Sequence, residues 1–300
     1  MEVLTIYSKT LPIGIIQTTV DLATAWRFRG KEQAKMSPYA EKYVIEEIRH
    51  GFRGFFNKQE PAPRIVLIPE LSIPNSGIRL IEKYARAVDA VVIGGCDFFV
   101  DTHKKTIRNK GIMVIPNKWP KIEAAYANTN VFFGKAFFSE TELDFFKRRK
   151  LAGISETLAY MIDAGVYGNI GVAICADFYD IERFVIYKGK IHHLIIIAYN
   201  KDYKSFEFLA EAISRLLMCN VVVCNTGHYG NSLAYSPYSE EYKRTIYKAS
   251  GAGLFTTQVI ELPVSALDFD QSMAHDKYQN GKTISSKRDG FKWAPGYFKW

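Results

Sequence analysis

The feature that most constrains the fold is the alternation of short, branched apolar runs with segments of helical periodicity. Strands are expected at Ile13–Val20, Ile65–Glu70, Ala90–Gly95, Gly111–Ile115, Val131–Phe133, Ile170–Cys175, Leu194–Ala198, Val221–Asn225 and Phe255–Glu261. Between several of them, apolar residues recur at helical spacing: Ala40, Val44, Ile48 and Phe52, then Ile78, Ile81, Tyr84 and Val88, then Phe208, Ile213, Leu216 and Leu217. Such alternation implies α/β architecture, with sheets covered by helices. At 300 residues and 48% hydrophobic, the chain can bury a large core. A single domain over residues 1–269 is expected, followed by a basic aromatic extension over 270–300 whose apolar periodicity fades.

Composition narrows the setting. The start has no basic segment followed by an apolar one, and no later stretch reaches the roughly eighteen uninterrupted apolar residues of a membrane span, so a cytoplasmic protein is expected. Cys96, Cys175, Cys219 and Cys224 form no CxxC pair or zinc-type spacing, which argues for reduced thiols and no structural metal. The net charge of +8 is spread along the chain, apart from Lys147-Arg148-Arg149-Lys150 and the tail. The first cluster reads as the cationic end of an exposed helix. Aromatics and lysines interleave from Phe291 to Trp300, which suits packing on protein and, less readily, stacking on single-stranded nucleic acid.

Three polar residues close apolar runs. Cys175 ends Gly171-Val172-Ala173-Ile174, Glu70 follows Ile68-Pro69, and Lys135 follows Val131-Phe132-Phe133-Gly134. Each alone suits an ordinary role: a buried thiol, a solvated carboxylate, a snorkelling lysine. Together they have a chemical sense, because a carboxylate can take a thiol proton, a thiolate can attack an electrophilic carbon, and an ammonium can stabilise the resulting oxyanion.

Glu, Lys and Cys in that order, each leaving a strand, resemble the nitrilase superfamily of carbon–nitrogen hydrolases. Gln17, Ile68-Pro69-Glu70, Ile174-Cys175-Ala176-Asp177, Arg215, Asn220 to Asn225 and Gly230-Asn231-Ser232 resemble further landmarks of that family over residues 1–265. The resemblance implies a four-layer α-β-β-α sandwich and a homodimer or larger assembly. It implies Glu70 as general base, Lys135 as oxyanion-stabilising cation, Cys175 as nucleophile and the Ala176 N–H as second oxyanion donor. A second glutamate positions the lysine in many members; Glu142 stands at the seventh position after Lys135, with Glu140 close by. No cofactor is implied, and no metal.

Two departures bear on the substrate. Ala136-Phe137-Phe138-Ser139 replaces a polar pair after the lysine, and Phe178 to Arg183 replaces the usual segment after the cysteine. Phe137 and Phe138 are therefore expected to present an aromatic wall to substrate, and the loop residue His228 is a further candidate contact. The expected activity is hydrolysis of a small-molecule amide, nitrile or N-carbamoyl group through a thioester. Acyl transfer to an amine and a pure binding role through the tail remain open, as does a cysteine–histidine pairing with His192, His193 or His228.

Overall fold

The computed structural model describes residues 7–56 and 61–271. Its principal strands, in chain order, are β1 (Thr10–Gln17), β2 (Ile65–Ile73), β3 (Val91–Cys96), β4 (Lys110–Pro116), β5 (Asn128–Gly134), β6 (Tyr160–Asp163), β7 (Asn169–Ile174), β8 (His193–Ala198), β9 (Asn220–Asn225), β10 (Ser232–Tyr235), β11 (Thr245–Ala249) and β12 (Thr256–Pro263). They build two six-stranded sheets, ordered β12-β1-β2-β3-β4-β5 and β6-β7-β8-β9-β10-β11. The longer helices are α1 (Pro38–Phe56), α2 (Ile78–Val88), α3 (Glu140–Arg148), α4 (Ile181–Tyr187) and α5 (Tyr203–Leu217).

Across each sheet, read in that order, neighbours pair antiparallel, parallel, parallel, antiparallel, antiparallel. One pairing scheme thus occurs twice without a visible sequence repeat, since strand pairing needs alternation and turns rather than particular side chains.

The strand period of two divides the core. Ile13, Ile15, Ile65, Leu67, Val91 and Ile93 pack towards the second sheet, in one cluster with Val172, Leu194 and Val221. Their neighbours Ile16, Val66, Ile68 and Val92 join Val44, Ile48 and Phe52 of α1 and Ile81 and Ala85 of α2. On the far side, Phe206, Ala210, Ile213 and Leu217 of α5 pack into the cluster of the second sheet. The layers are therefore helix, sheet, sheet, helix, and inner strands covered on both faces read as continuous apolar runs.

Some boundaries differ from the sequence expectation. The Ile13–Val20 run is paired over Thr10–Gln17, and β2 continues past Glu70 to Ile73. The edge strands Tyr160–Asp163 and Thr245–Ala249, outside the expected set, have no fully buried residue. In α5 the buried stripe is Phe206, Ala210, Ile213 and Leu217, spaced i, i+4, i+7 and i+11, so Phe208 and Leu216 face outward. Among the described residues no helix is long and apolar enough to cross a membrane. The expected extension over 270–300 lies outside the described residues apart from Asp270 and Gln271.

Candidate active site

Glu70 sits in a break of a fully buried strand. The parallel ladder of β2 with β3 runs to Ile68↔Gly94, is interrupted, and resumes at Ile73↔Cys96. Within the interruption Leu71 adopts φ +57°, a left-handed conformation that costs a branched residue about 1–2 kcal/mol. The opposing strand accommodates the distortion with glycine: a Cβ on Gly95 would lie 2.3 Å from the Glu70 Cα and 2.6 Å from the Leu71 nitrogen. The break turns the Glu70 carboxylate into the molecule's interior, where it is 1% exposed.

Lys135 leaves β5 into the same interior point, also 1% exposed. Its Nζ donates to Glu70 Oε1 at 2.8 Å and to Glu142 Oε2 at 2.6 Å. Glu142 reaches this position because it is the third residue of α3 in a capping box. The Ser139 side chain accepts from the Glu142 N–H, and Glu142 Oε2 accepts from the Ser139 N–H at 2.9 Å. Asn109 closes the group: its Nδ2 lies 2.7 Å from both Glu70 Oε1 and Glu142 Oε1, while its own Oδ1 is buried without a hydrogen-bond partner.

Two carboxylates, one ammonium and a thiol without bulk water form a coupled system. Burial, opposed by Lys135 and reinforced by the nearby Glu142 charge, raises the proton affinity of Glu70 above the usual carboxylate range. Burial acts on Glu142 in the same sense, but Lys135, Ser139 and Asn109 outweigh it and hold this carboxyl below the usual range. Burial disfavours the Lys135 ammonium, yet the surrounding anionic groups more than compensate and keep it charged. One carboxylate is thus fixed as the partner of the lysine, and the other is left as the more basic.

Cys175 closes the triangle. It follows β7 and opens a 3-10 turn, Cys175–Tyr179, with φ +45° at the cysteine itself. This strained elbow is held by its neighbours. Asp177 is fully buried and accepts from the backbone N–H groups of Ala136 at 3.0 Å and Phe137 at 2.9 Å, and it pairs with Arg183 at 3.6 Å. One carboxylate therefore ties the segment after the cysteine to the segment after the lysine. The thiol lies 3.8 Å from the Tyr199 carbonyl oxygen and lines the same cavity as the Glu70 carboxylate, whose charge acts on it. Burial first, then the negative charge of Glu70, push the thiol well above its ordinary pKa, with Lys135 pulling the other way.

A third wall orients Glu70. The Tyr199 N–H donates to Glu70 Oε2 at 2.8 Å. Asn225 fixes that segment by accepting from the Asn200 N–H and donating to the Asn200 carbonyl, both at 2.8 Å. Ser232 accepts from the Asn225 N–H at 3.0 Å, and the Gln17 side chain accepts from the Ser232 N–H at 3.2 Å. These buried amides and hydroxyls satisfy main chain around the site rather than facing it. Glu70, Lys135, Cys175, Ala176, Tyr199 and Tyr229 line one cavity of about 160 Å³.

The sequence matches no protein-family model and no curated protein. Solved structures do match, over nearly the whole length. Nit3 of Saccharomyces cerevisiae, a nitrilase-superfamily member, is 13% identical, with 95% of this chain and 98% of that one covered, at a TM-score of 0.60. This chain has the nitrilase-superfamily fold. A carbon-nitrogen hydrolase from Helicobacter pylori G27 is 13% identical, with coverages of 88% and 93% and a TM-score of 0.62. A variant of the amidase from Nesterenkonia sp. AN1, showing covalent addition of the acetamide moiety of fluoroacetamide at its active-site cysteine, is 10% identical, with coverages of 89% and 97% and a TM-score of 0.59.

Within this nitrilase fold the remaining candidates separate. Glu140 is exposed at the start of α3, whereas Glu142 points inward. Phe137 is 52% exposed, and Phe138 packs edge-on against Phe146 at 5.1 Å; neither lines the cavity with Cys175. The aromatic residues that do are Tyr179, Tyr199, Phe206 and Tyr229, because the chain after Lys135 is turned outward by its bonds to Asp177. His228 stands behind that wall, parallel to Tyr199 at 6.4 Å and 3.7 Å from Asp21. His193 is buried among main-chain and amide partners and His192 pairs with Asp268, so no histidine among the described residues lines the cavity with Cys175. Lys118 pairs with Glu123 at the surface.

Sequence reasoning did not single out Asn109, Asp177 or Tyr199 as site residues. Asp177 stands in the sequence as the last residue of Ile174-Cys175-Ala176-Asp177, with nothing to mark its bonds to Ala136 and Phe137. Ser139-Glu140-Thr141-Glu142 has the capping-box pattern that separates Glu142 from Glu140. Asn109 carries no sequence signal beyond standing before an apolar strand.

Proposed function

We propose that this protein is a thiol-dependent hydrolase of non-peptide carbon–nitrogen bonds, acting on a small-molecule amide through a thioester. The observation that carries the proposal is the convergence of Glu70, Lys135 and Cys175, from three separate strands, on one cavity with a basic carboxylate beside the thiol. Glu70 takes the Cys175 proton as the sulfur attacks the carbonyl carbon. The electron pair of the C=O bond moves to oxygen, where Lys135 Nζ and the Ala176 N–H stabilise it. Collapse restores the carbonyl and breaks the C–N bond; the leaving amine departs with the proton held by Glu70, and a thioester remains. Water then loses a proton to Glu70 and attacks the thioester, releasing the acid and returning the proton to sulfur. The acetamide group attached to the active-site cysteine of the Nesterenkonia amidase variant supports sulfur as the nucleophile.

The test is mass spectrometry of the intact protein after brief exposure to an amide library. A mass increase equal to the acyl group on Cys175, lost in Cys175→Ala, is expected. Turnover that survives Cys175→Ala refutes the mechanism.

We also propose that two copies associate through α4 and α5, where Ile181, Val185, Ile186 and Phe208 form an exposed apolar face beside the cysteine elbow. Light scattering should give twice the chain mass, and Ile181→Glu with Phe208→Glu should return it to one. A cytoplasmic setting is part of the same proposal, motivated by four buried free thiols.

A further inference from the structure

The cavity at Cys175 does not end at its mouth. Leu22, Thr141, Tyr199 and Tyr229 line both it and a second cavity, whose floor includes Trp26 and Phe145 and whose rim carries Arg27, Arg148 and Arg149. A third recess, shared through Thr141 and Arg148, adds Asp144 and Lys147. The trough therefore runs along α3, from the glutamate that holds Lys135 to the last turn. Arg148 follows Glu142 by six residues, about 9 Å along the helix axis.

Three guanidinium groups converge on a single carboxylate at the far end. Glu32 is 3.1 Å from Arg148, 3.2 Å from Arg149 and 3.9 Å from Arg27. Arg149 is the fixed member: its side chain is 8% exposed, its guanidinium stacks 3.4 Å over Phe145, and it donates to the carbonyls of Gln33 and Phe145. Arg27 and Arg148 keep more than half of their side-chain surface open, at 59% and 57%. Each guanidinium has five N–H donors, far more than one carboxylate accepts. Asp21 and Asp144 also line the trough, so Arg27, Arg148, Arg149 and Lys147 face Glu32, Asp21 and Asp144, a net charge of +1 on an apolar floor. Burial disfavours the charge on Arg149, Glu32 favours it, and the proximity of Arg148 and Arg27 disfavours it further.

The placement of these groups is built, not incidental. Arg27 and Glu32 pair across a two-residue hairpin, Arg27–Phe28 with Lys31–Glu32, whose Arg29 and Gly30 both have positive φ. Trp26 anchors that hairpin: it is fully buried and its Nε1 donates to Asp97 Oδ1 at 2.8 Å.

We propose that the trough is a second subsite for the substrate, taking an amide with an apolar chain that ends in an anionic group, carboxylate or phosphate, held by Arg27 and Arg148 at the end of the trough away from Cys175. The proposal rests on the hydrolase reading for the identity of the reacting end, and its test is independent of turnover. Iodoacetamide derivatives are prepared with an alkyl chain ending in a carboxylate, its methyl ester, or a phosphate. Alkylation of Cys175 in the full-length protein is followed by mass spectrometry.

The carboxylate or phosphate probe should label Cys175 about tenfold faster than the ester, the size of one charge-assisted hydrogen bond. The ratio should fall towards one in Arg27→Gln/Arg148→Gln and in high salt, and should rise in Glu32→Gln, which frees the cluster. Whichever anion gains more identifies the preferred head group. Equal rates for ester and anionic probes, or an anionic advantage that persists in the double variant, overturn the subsite while leaving amide turnover to decide the hydrolase reading. Absence of Cys175 labelling by every probe, in a protein whose melting transition is intact, overturns both.

Discussion

Replacing Glu142 by glutamine removes one charge from the buried cluster while keeping its shape. Glutamine at the third position of α3 can still accept from Ser139, so the capping box closes and the helix start is retained. The electrostatic change is large. Glu70 Oε1 and Glu142 Oε1 each lie 2.7 Å from the same Asn109 nitrogen. Two unit charges about 5 Å apart, at an effective dielectric of about 20, repel by about 3 kcal/mol, equivalent to about 2 pKa units. In the wild type this repulsion contributes to the raised proton affinity of both Glu70 and Cys175. Without it, the cluster should release its shared proton at lower pH. The assay is the rate of Cys175 alkylation by iodoacetamide between about pH 4 and pH 10. The midpoint should move down in Glu142→Gln, by at most the roughly 2 units of the Glu70–Glu142 repulsion. A midpoint that stays within half a unit of wild type, or moves upward, in a protein with an unchanged melting temperature, would refute the assignment of Glu142 as a charged member of the cluster.

Asp177→Ala leaves Arg183 and two backbone N–H groups without their buried acceptor and should cost about 3–5 kcal/mol in chemical denaturation. Gly95→Ala forces a Cβ into the Glu70 backbone, so overpacking should cost at least about 1–3 kcal/mol and slow Cys175 alkylation together with it; loss of neither contradicts the strand break as described. Four buried carboxyls, Glu47, Glu70, Asp97 and Asp177, have raised proton affinity, chiefly through burial, with Asp97 at about 6. The folded state therefore holds more protons than the unfolded chain between the ordinary carboxylate range and these raised values, and stability falls as pH rises through that window. Melting temperatures should accordingly decline from about pH 4.5 to pH 7, and Asp97→Asn should flatten the slope.

Much of this arrangement could be read from residues in order. Apolar runs such as Ile65 to Ile68 and Val221 to Val223 mark inner strands, because a strand covered on both faces needs no polar alternation. The elbow at Cys175 was legible because an apolar strand stops abruptly at polar residues. The edge strands were not, since Tyr160–Asp163 has one face in solvent while its apolar stretch, Leu158 to Ile162, lacks the polar alternation of a half-exposed strand. Nor was the doubled pairing scheme of the two sheets, which leaves no trace in side-chain identity.

The chain by itself determined that sheets would be covered by helices and that an acid, an amine and a thiol would each follow an apolar run, since local periodicity is a property of neighbouring residues; that the strand carrying Glu70 continues to Ile73 was not legible. Only the tertiary structure decided what surrounds them. Lys135 Nζ is held between Glu142 at 2.6 Å and Glu70 at 2.8 Å, a contact among three separate elements. Asn109 bridges two carboxylates from a distant strand start, and Phe137 faces outward although its position beside Lys135 suggested a pocket wall. Such contacts join residues dozens of positions apart, and whether a carboxylate is a base or a counter-ion depends on burial and neighbouring charge, which sequence distance does not encode.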